Sequence, residues 1–482
     1  RRGSSAPVLA VEQLRQRANP RRRADRVRID EQTTRDLEIF QAQGRGGSLF
    51  DMLDRTRTAG GRDALRARFR KPLRDARRIR SVQDSLRFIR AHRGVFERLP
   101  PATQLAEVTH YLSSNLVTSA SGEWLGAAVQ AVWAFVFYRD LYREAAAGTA
   151  ATRRLLDSVE TFLVGAFLAD ATGEIRQILQ EMSELLEDRH LRAARARRVG
   201  WGIHLQVLAA DRAIRQDARA PMERLMRLVY ELDALVSMAD AGAARGFVLP
   251  QIVDPPGEVQ VEGVYHPFLT EAVRNDLVLD ERRRLLFLTG PNMAGKTTYL
   301  RACGIAVYLA HLGMAVPATA MRLSVFDALF TAIGLLDNVR EGVSFFRAEA
   351  LRVKEVARAL AAGEHVLGIL DEPFKGTNVR DALDASRAVL RRLAHARGSA
   401  FLVASHLIEL ADDLQSVPQV MSRRFEARED GRELHFDYLA RPGVSAQRLG
   451  MRVLEEEGVF ALFDGGREDT PPSLRPDHGS RR

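Results

Sequence analysis

The sequence predicts a mainly α N-terminal half followed by an α/β domain, and three observations carry that expectation. From about Val27 to Phe247 the chain has a helical texture. Around Phe247 that texture changes: Val248 to Val264 is rich in Val, Pro and Gly and lacks helical spacing, which puts a boundary near residues 245 to 255. Farther on, three short apolar runs, Leu285–Leu288, Val366–Leu370 and Ala400–Ala404, read as buried strands of a parallel sheet, each ending in residues suited to a phosphate site. At 482 residues there is room for about three domains with sizeable cores. The expected layout is a basic, disordered arm over 1–28, a helical domain over 29–247, an α/β domain over 248–462 and a disordered tail over 463–482.

Composition narrows the class. With 46% hydrophobic and 28% charged residues the chain has an ordinary soluble make-up. A formal charge of +9 and a pI near 10.0 invite a nucleic-acid reading. Two features temper it. Only Lys71, Lys296, Lys354 and Lys375 are lysines, an arginine skew that a GC-rich genome explains as well as phosphate binding does. The first 28 residues hold nine arginines against Glu12 and Asp25, so most of the excess charge sits in the arm, which reads equally as a solvated tail or as a nucleic-acid contact. Cys303 is the single cysteine, which excludes internal disulfides and cysteine-rich zinc sites; it reads as a small core residue. No long apolar leader opens the chain, which argues against secretion and for a cytoplasmic, nucleoid-associated location.

In order, Arg28-Ile29-Asp30 followed by Thr33 to Phe40 reads as a cap and short helix. Leu49, Phe50, Leu53, Leu65 and Phe69 form a helix-spaced stripe that Gly60-Gly61 interrupts. Lys71-Pro72-Leu73 marks a break before a helix from Ala76 to Phe88. Trp124 to Tyr138 is the most apolar window, but its fifteen residues fall short of the roughly 20 needed to span a bilayer. It reads as a buried bundle helix, with a membrane segment as the alternative. Helical patterns follow around Ala151–Leu168, Glu174–Leu191 and Pro221–Asp240. The basic run at 187–199, EDRHLRAARARRV, reads as a solvated helix face or a DNA contact.

Gly290 to Thr297 then fits G-x-x-x-x-G-K-[ST] without a mismatch. In such a loop the backbone N–H groups of Pro291-flanking residues Asn292, Met293 and Ala294 converge on phosphate oxygens, and Gly290 and Gly295 stand where a Cβ would obstruct the approach. Lys296 would reach the β- and γ-phosphates, and the Thr297 hydroxyl would complete a Mg²⁺ shell. The helix opening at Lys296, with Thr298 in its first turn, adds its N-terminal dipole. A nucleotide's phosphates with Mg²⁺ are therefore expected in this loop. The alternative is an ordinary Gly-containing turn between a strand and a helix. The second apolar run ends in Asp371-Glu372, so Asp371 is placed to hold Mg²⁺ through water and Glu372 to orient or deprotonate the attacking water. The third ends in Ser405-His406, where His406 reads as a polar sensor of the γ-phosphate against an ordinary surface or core histidine. Val420–Glu429 and Glu433–Leu439 flank Asp430-Gly431, a hairpin signal.

At this point the residues resemble one family. GPNMAGKTTYLR, the DE-x-x-x-GT series from Asp371 to Thr377 and the VASHLIEL segment from Val403 to Leu410 look like the ATPase domain of the MutS mismatch-repair family. Ser48 to Arg62, continuing through Leu65 to the Lys71-Pro72-Leu73 break, resembles that family's core domain. The resemblance implies a helical lever/core domain followed by a MutS-type, ABC-like P-loop NTPase domain, with ATP as the nucleotide. It also implies a homodimer with composite ATP sites: Asp337 to Phe346 is similar to the family's signature loop, Ser344 matches the serine that touches the neighbour's nucleotide, and Glu349 matches the acid that follows. Read from the residues alone, Ser344 is an ordinary helix N-cap. Asn275 matches the lead-in to the ATPase domain, but Ala272 stands where the family has an aromatic that stacks on adenine; Tyr438 matches a second stacking position. DNA and other repair proteins are the partners implied, a membrane is not.

Only about 28 residues precede the core match, and they contain no Phe-x-Glu, so the expectation is a member without the mismatch-recognition and connector domains and with a reduced or absent clamp. The leading function is a dimeric DNA-dependent ATPase acting in repair or recombination on mismatched, branched or distorted DNA. Two competitors stand beside it. A transporter or chromosome-structure ATPase of the ATP-binding-cassette class lacks support because LSGGQ is absent. A membrane-associated or protein-remodelling ATPase would have kept the engine without DNA recognition.

Overall fold

The structure is a computed structural model that describes residues 26–42, 46–114, 139–166, 170–195, 203–334, 345–430, 433–445, 447 and 450–463. It mixes helix and sheet. Helices dominate up to Ala244, and every named strand follows it. In the helical part, the longest helices run Arg139–Gly165 and Arg219–Ala244, with Ala76–Ala91, Ala102–Ser113 and Glu174–Leu186 packed among them. Leu225, Leu228, Leu232 and Leu235 are buried along the helix Arg219–Ala244, whose mid-section is almost wholly buried, so it serves as the spine of this part.

Several sequence boundaries shift, each for a local reason. The helix expected over Thr33 to Phe40 is Glu31–Asp36, capped by Asp30, whose carboxylate accepts from Thr33 N at 2.8 Å. Glu38 has a φ of 51°, which ends the helix and turns Leu37 and Ile39 into the core. Gly60-Gly61 does not interrupt the stripe. The break falls at Asp54–Thr58, and both glycines lie in the first turn of the helix Ala59–Phe69. They are small because the helix Arg219–Ala244 crosses there: a Cβ on Gly60 would stand 2.5 Å from the Tyr230 ring, and one on Gly61 would strike the Asp233 carboxylate. The helix expected from Ala151 begins at Arg139. Glu174–Leu191 divides into Glu174–Leu186 and Arg189–Arg195, because Asp188 accepts from His190 N and Leu191 N and caps the second helix. In the basic run, Arg192 pairs with Glu187, and Arg195 pairs with Asp157 and Glu160. The window Trp124–Tyr138 lies outside the described residues, among which no helix is long and apolar enough to cross a membrane.

The sheets hold the site. A six-stranded sheet has the order β12-β9-β4-β8-β7-β6, built from β4 (Leu285–Thr289), β6 (Ala328–Ala332), β7 (Val366–Asp371), β8 (Ala400–Ala404), β9 (Val420–Arg424) and β12 (Arg441–Pro442). All pairs are parallel except β12 with β9. Interior β4 and β8, and also β6 at the end of the sheet, are buried at every position, as strands covered on both faces are. A four-stranded mixed sheet, β1-β5-β2-β3, comprises β1 (Gln251–Val253), β5 (Ala320–Ser324), β2 (Val259–Val264) and β3 (Asn275–Leu279). The hairpin at Asp430 pairs Ala427–Asp430 with Glu433–Phe436. Its first arm is shorter than the sequence suggests, because Val420–Arg424 peels off to lie beside β4.

Candidate nucleotide site

The loop after β4 and the end of β7 meet at one pocket of about 870 Å³, a size that suits a nucleotide. Its walls include Asn275, Asn292, Lys296, Thr297, Glu372 and Tyr438. Gly290 and Gly295 adopt φ of 142° and 97°, backbone that L side chains avoid. A Cβ on Gly290 would stand 2.6 Å from Phe425 O, and one on Gly295 3.1 Å from the Tyr438 ring. Between them Met293 has a φ of 68° and is 72% exposed, so the loop turns its backbone rather than an apolar side chain toward the helix N-terminus. Pro291 accepts from Ala294 N, which closes the turn. Thr298 lines the same pocket.

Lys296 opens the helix Lys296–His311 and curls back: its ammonium donates to Gly290 O at 2.7 Å and Pro291 O at 2.9 Å. Burial pulls its pKa down, and the carboxylates of Glu372 and Asp371 work against that. The Thr297 hydroxyl donates to Asp371 Oδ2 at 2.6 Å. Burial raises the Asp371 pKa, partly offset by that hydrogen bond. Glu372 has its carboxylate 3.5 Å from His406 Nδ1, which lowers the Glu372 pKa and raises that of His406. Ser405 accepts from Leu407 N and so shapes the turn that presents His406.

Asn275 lies at the pocket but spends both ends of its amide on the backbone: Nδ2 donates to Tyr438 O at 2.9 Å, and Oδ1 accepts from Ala440 N at 2.7 Å. It thereby fixes Tyr438, which has a φ of 55°, stacks on Phe436 and overhangs Gly295. Ala272 lines the pocket without an aromatic face to offer. Ser344 lies outside the described residues. Glu349 is buried and accepts from Lys375 N and Gly376 N, both at 3.2 Å. That role was invisible in sequence, because an acid one turn into a helix has no signature for a distant backbone donor.

The residues present fit Mg²⁺·ATP. The loop holds Gly290 and Gly295 in backbone that L side chains avoid, the buried Lys296 ammonium lies against it, and the Thr297 hydroxyl and Asp371 carboxylate form a hard oxygen pair of the kind Mg²⁺ takes. Among the described residues no group of three His, Cys, Asp or Glu side chains converges to hold a metal alone, so a Mg²⁺ here would need phosphate and water oxygens as well.

Sequence comparison assigns both halves to one class of protein. Residues 32–239 match the family model of MutS domain III, and residues 286–461 that of MutS domain V. The chain belongs to the MutS family. It is 32% identical over 288 residues to a protein named DNA mismatch repair protein MutS 2 from Halobacterium salinarum, an alignment that covers 59% of this chain and 33% of that protein. It is 31% identical over 280 residues to DNA mismatch repair protein MutS of an Exiguobacterium species, covering 54% and 33%, and 34% identical over 278 residues to the protein of that name from Natronomonas pharaonis, covering 54% and 32%. The chain thus spans about a third of the length of these curated relatives.

Proposed function

We propose that this chain is a MutS-like, Mg²⁺-dependent ATPase that works as a homodimer and couples ATP binding and hydrolysis to DNA binding in repair or recombination. The organisation proposed is a helical core/lever domain over 29–247 and an ABC-like P-loop ATPase domain over 248–462. The observation that carries the reading is the meeting of Lys296, Thr297, Asp371 and Glu372 in one pocket behind a glycine loop with left-handed turns. The names of the relatives, all DNA mismatch repair proteins, point the activity toward DNA.

Each side chain has a role in this proposal. Lys296 holds the terminal phosphates and balances charge that grows on the leaving group. Glu372 accepts a hydrogen bond from the attacking water, and His406 keeps that carboxylate ionised and oriented. Tyr438, fixed by Asn275, stacks on the base. Mg²⁺, when bound through Thr297 and Asp371, neutralises charge on the phosphates. Ser344 completes the neighbour's site.

ATP turnover measured with and without homoduplex, mismatched, four-way and single-stranded DNA tests the functional reading. Stimulation by mismatched or branched DNA is expected. Turnover indifferent to every DNA, together with co-sedimentation with liposomes, would move the assignment to a membrane-associated or protein-remodelling ATPase.

A further inference from the structure

The segment from Val27 to Phe40 leads into the helical half, yet its polar groups reach the sheet and two helices, Lys296–His311 and Phe345–Ala361. Arg28 N donates to Asp327 O at 2.8 Å and Arg28 O accepts from Leu329 N at 3.0 Å, which lays the segment along β6. Asp36, fully buried, accepts from Thr331 Oγ1 at 2.6 Å and Ile333 N at 2.9 Å. Glu38 pairs with Arg301 on the helix Lys296–His311 at 3.2 Å. The helix Phe345–Ala361 is held most firmly of all. Its Arg352, 7% exposed, pairs with Asp30 and donates to Thr33 Oγ1 at 2.8 Å and Thr331 O at 2.7 Å.

One turn before Arg352 on the same helix stands Glu349, which takes the Lys375 and Gly376 N–H groups; Phe346, a turn earlier again, meets Phe374 with ring centroids 5.9 Å apart. These contacts add to the anchor at the start of the loop, where Glu372 N donates to Ala404 O at 2.9 Å. Glu372 and Phe374 have φ of 50° and 64°, values that non-glycine residues keep only where the surroundings impose them. One helix thus contacts the carboxylate loop through Phe346 and Glu349 and the Val27–Phe40 segment through Arg352.

We propose that Glu349 and Arg352 are positioning residues that tie the placement of Glu372 to the Val27–Phe40 segment of the helical half, so that a shift of that segment moves the carboxylate relative to Lys296. This rests on the reading of Glu372 as the group that orients water, and goes beyond it by naming what sets Glu372 from outside the pocket. The two contacts act in series, since each fixes one turn of the same rigid element.

The test is steady-state ATP turnover together with amide hydrogen exchange in the whole chain, for wild type, Glu349→Gln, Arg352→Lys and Asp30→Asn. Glutamine would set an NH₂ against a backbone N–H, and lysine keeps the charge but cannot span three acceptors. Glu349→Gln should lower kcat by about tenfold while the KM for ATP stays within about twofold, and should speed exchange at Lys375 and Gly376. Arg352→Lys should show the same pattern, and the Asp30→Asn/Arg352→Lys double variant should be no worse than the worse single. Wild-type kcat and unchanged exchange at Lys375 and Gly376 in Arg352→Lys would overturn the proposal, as would a fall in Tm with neither changed. If wild type itself hydrolyses no ATP, the catalytic reading fails, and exchange at those two amides still decides this one.

Discussion

At the scale of single residues, the Glu372–His406 pair at the edge of the pocket is the most informative contact. Each partner stabilises the charged form of the other: the His406 pKa is raised above its usual 6.5 and the Glu372 pKa lowered below its usual 4.5, in each case chiefly by their mutual hydrogen bond. The sign follows directly. What the raised histidine contributes is complete below 6.5 and is lost as pH rises through the raised value; what the lowered carboxylate contributes is complete above 4.5 and is lost as pH falls through the lowered value. The pair is therefore intact between the two folded-state pKa values. NMR titration of the His406 ring should find a midpoint above 6.5 in wild type that returns toward 6.5 in Glu372→Gln; the same midpoint in both would dismiss the pair. The sequence singles out these residues, with Gly290, Lys296, Thr297 and Asp371, because Gly290, Lys296 and Thr297 fall in one loop motif while Asp371, Glu372 and His406 each follow a later apolar run that ends beside such a loop in a parallel sheet. Asp36 was not, since the donors it satisfies lie 295 and 297 positions away. Nor was the role of Asn275: its motif position suggested a ligand contact, whereas both its polar atoms serve the Tyr438–Ala440 backbone.

Among elements, the crossing of Ala59–Phe69 with Arg219–Ala244 shows why local sequence misplaces a break. Read locally, Gly60-Gly61 is a helix interruption; in three dimensions it is the gap into which Tyr230 and Asp233 fit. Asp233 is buried and accepts from Arg57 N at 3.0 Å, Thr58 N at 2.9 Å and Thr58 Oγ1 at 2.7 Å, while Thr58 in turn caps the helix. Removing the acceptor strands two backbone donors, so Asp233→Ala should cost about 2–4 kcal/mol in urea denaturation. Gly60→Ala should cost about 1–3 kcal/mol by overpacking against Tyr230. A loss below about 0.5 kcal/mol for either would show that the crossing is looser than drawn. The element types of the sheet were easier to read than these joints. An unbroken apolar run flanked by turn residues can only be buried on both faces, whereas the splitting of Val420–Glu429 depends on which strand β9 finds beside it.

Among the described residues, the helical part shares an apolar core with the sheets that runs from Leu37 through Leu235 to Phe425, while a second cluster with Phe287, Phe330 and Leu390 packs on the six-stranded sheet. Polar contacts stitch the same boundary. Tyr308 OH donates to Phe69 O at 2.6 Å, Leu73 N donates to His311 O at 2.7 Å, and the His311 Nδ1 sits 2.8 Å from Leu73 O. Burial pushes the His311 pKa down to about 4, so it stays neutral in the folded chain where the unfolded chain would protonate it. The unfolded state then binds more protons between about pH 4 and 6.5, and stability must fall as pH drops through that window. The full shift corresponds to at most about 3 kcal/mol. His311→Gln should flatten the acid limb of Tm against pH, and an unaltered slope would place the acid sensitivity elsewhere.

Equilibrium Mg²⁺·ATP binding measured beside turnover decides whether the pocket at Lys296 binds and cleaves ATP. Glu372→Gln should bind ATP with wild-type affinity and lose turnover by about a hundredfold or more, while Lys296→Ala should lose binding itself. Wild-type turnover in both variants, or no ATP binding by the unaltered chain, would contradict the account.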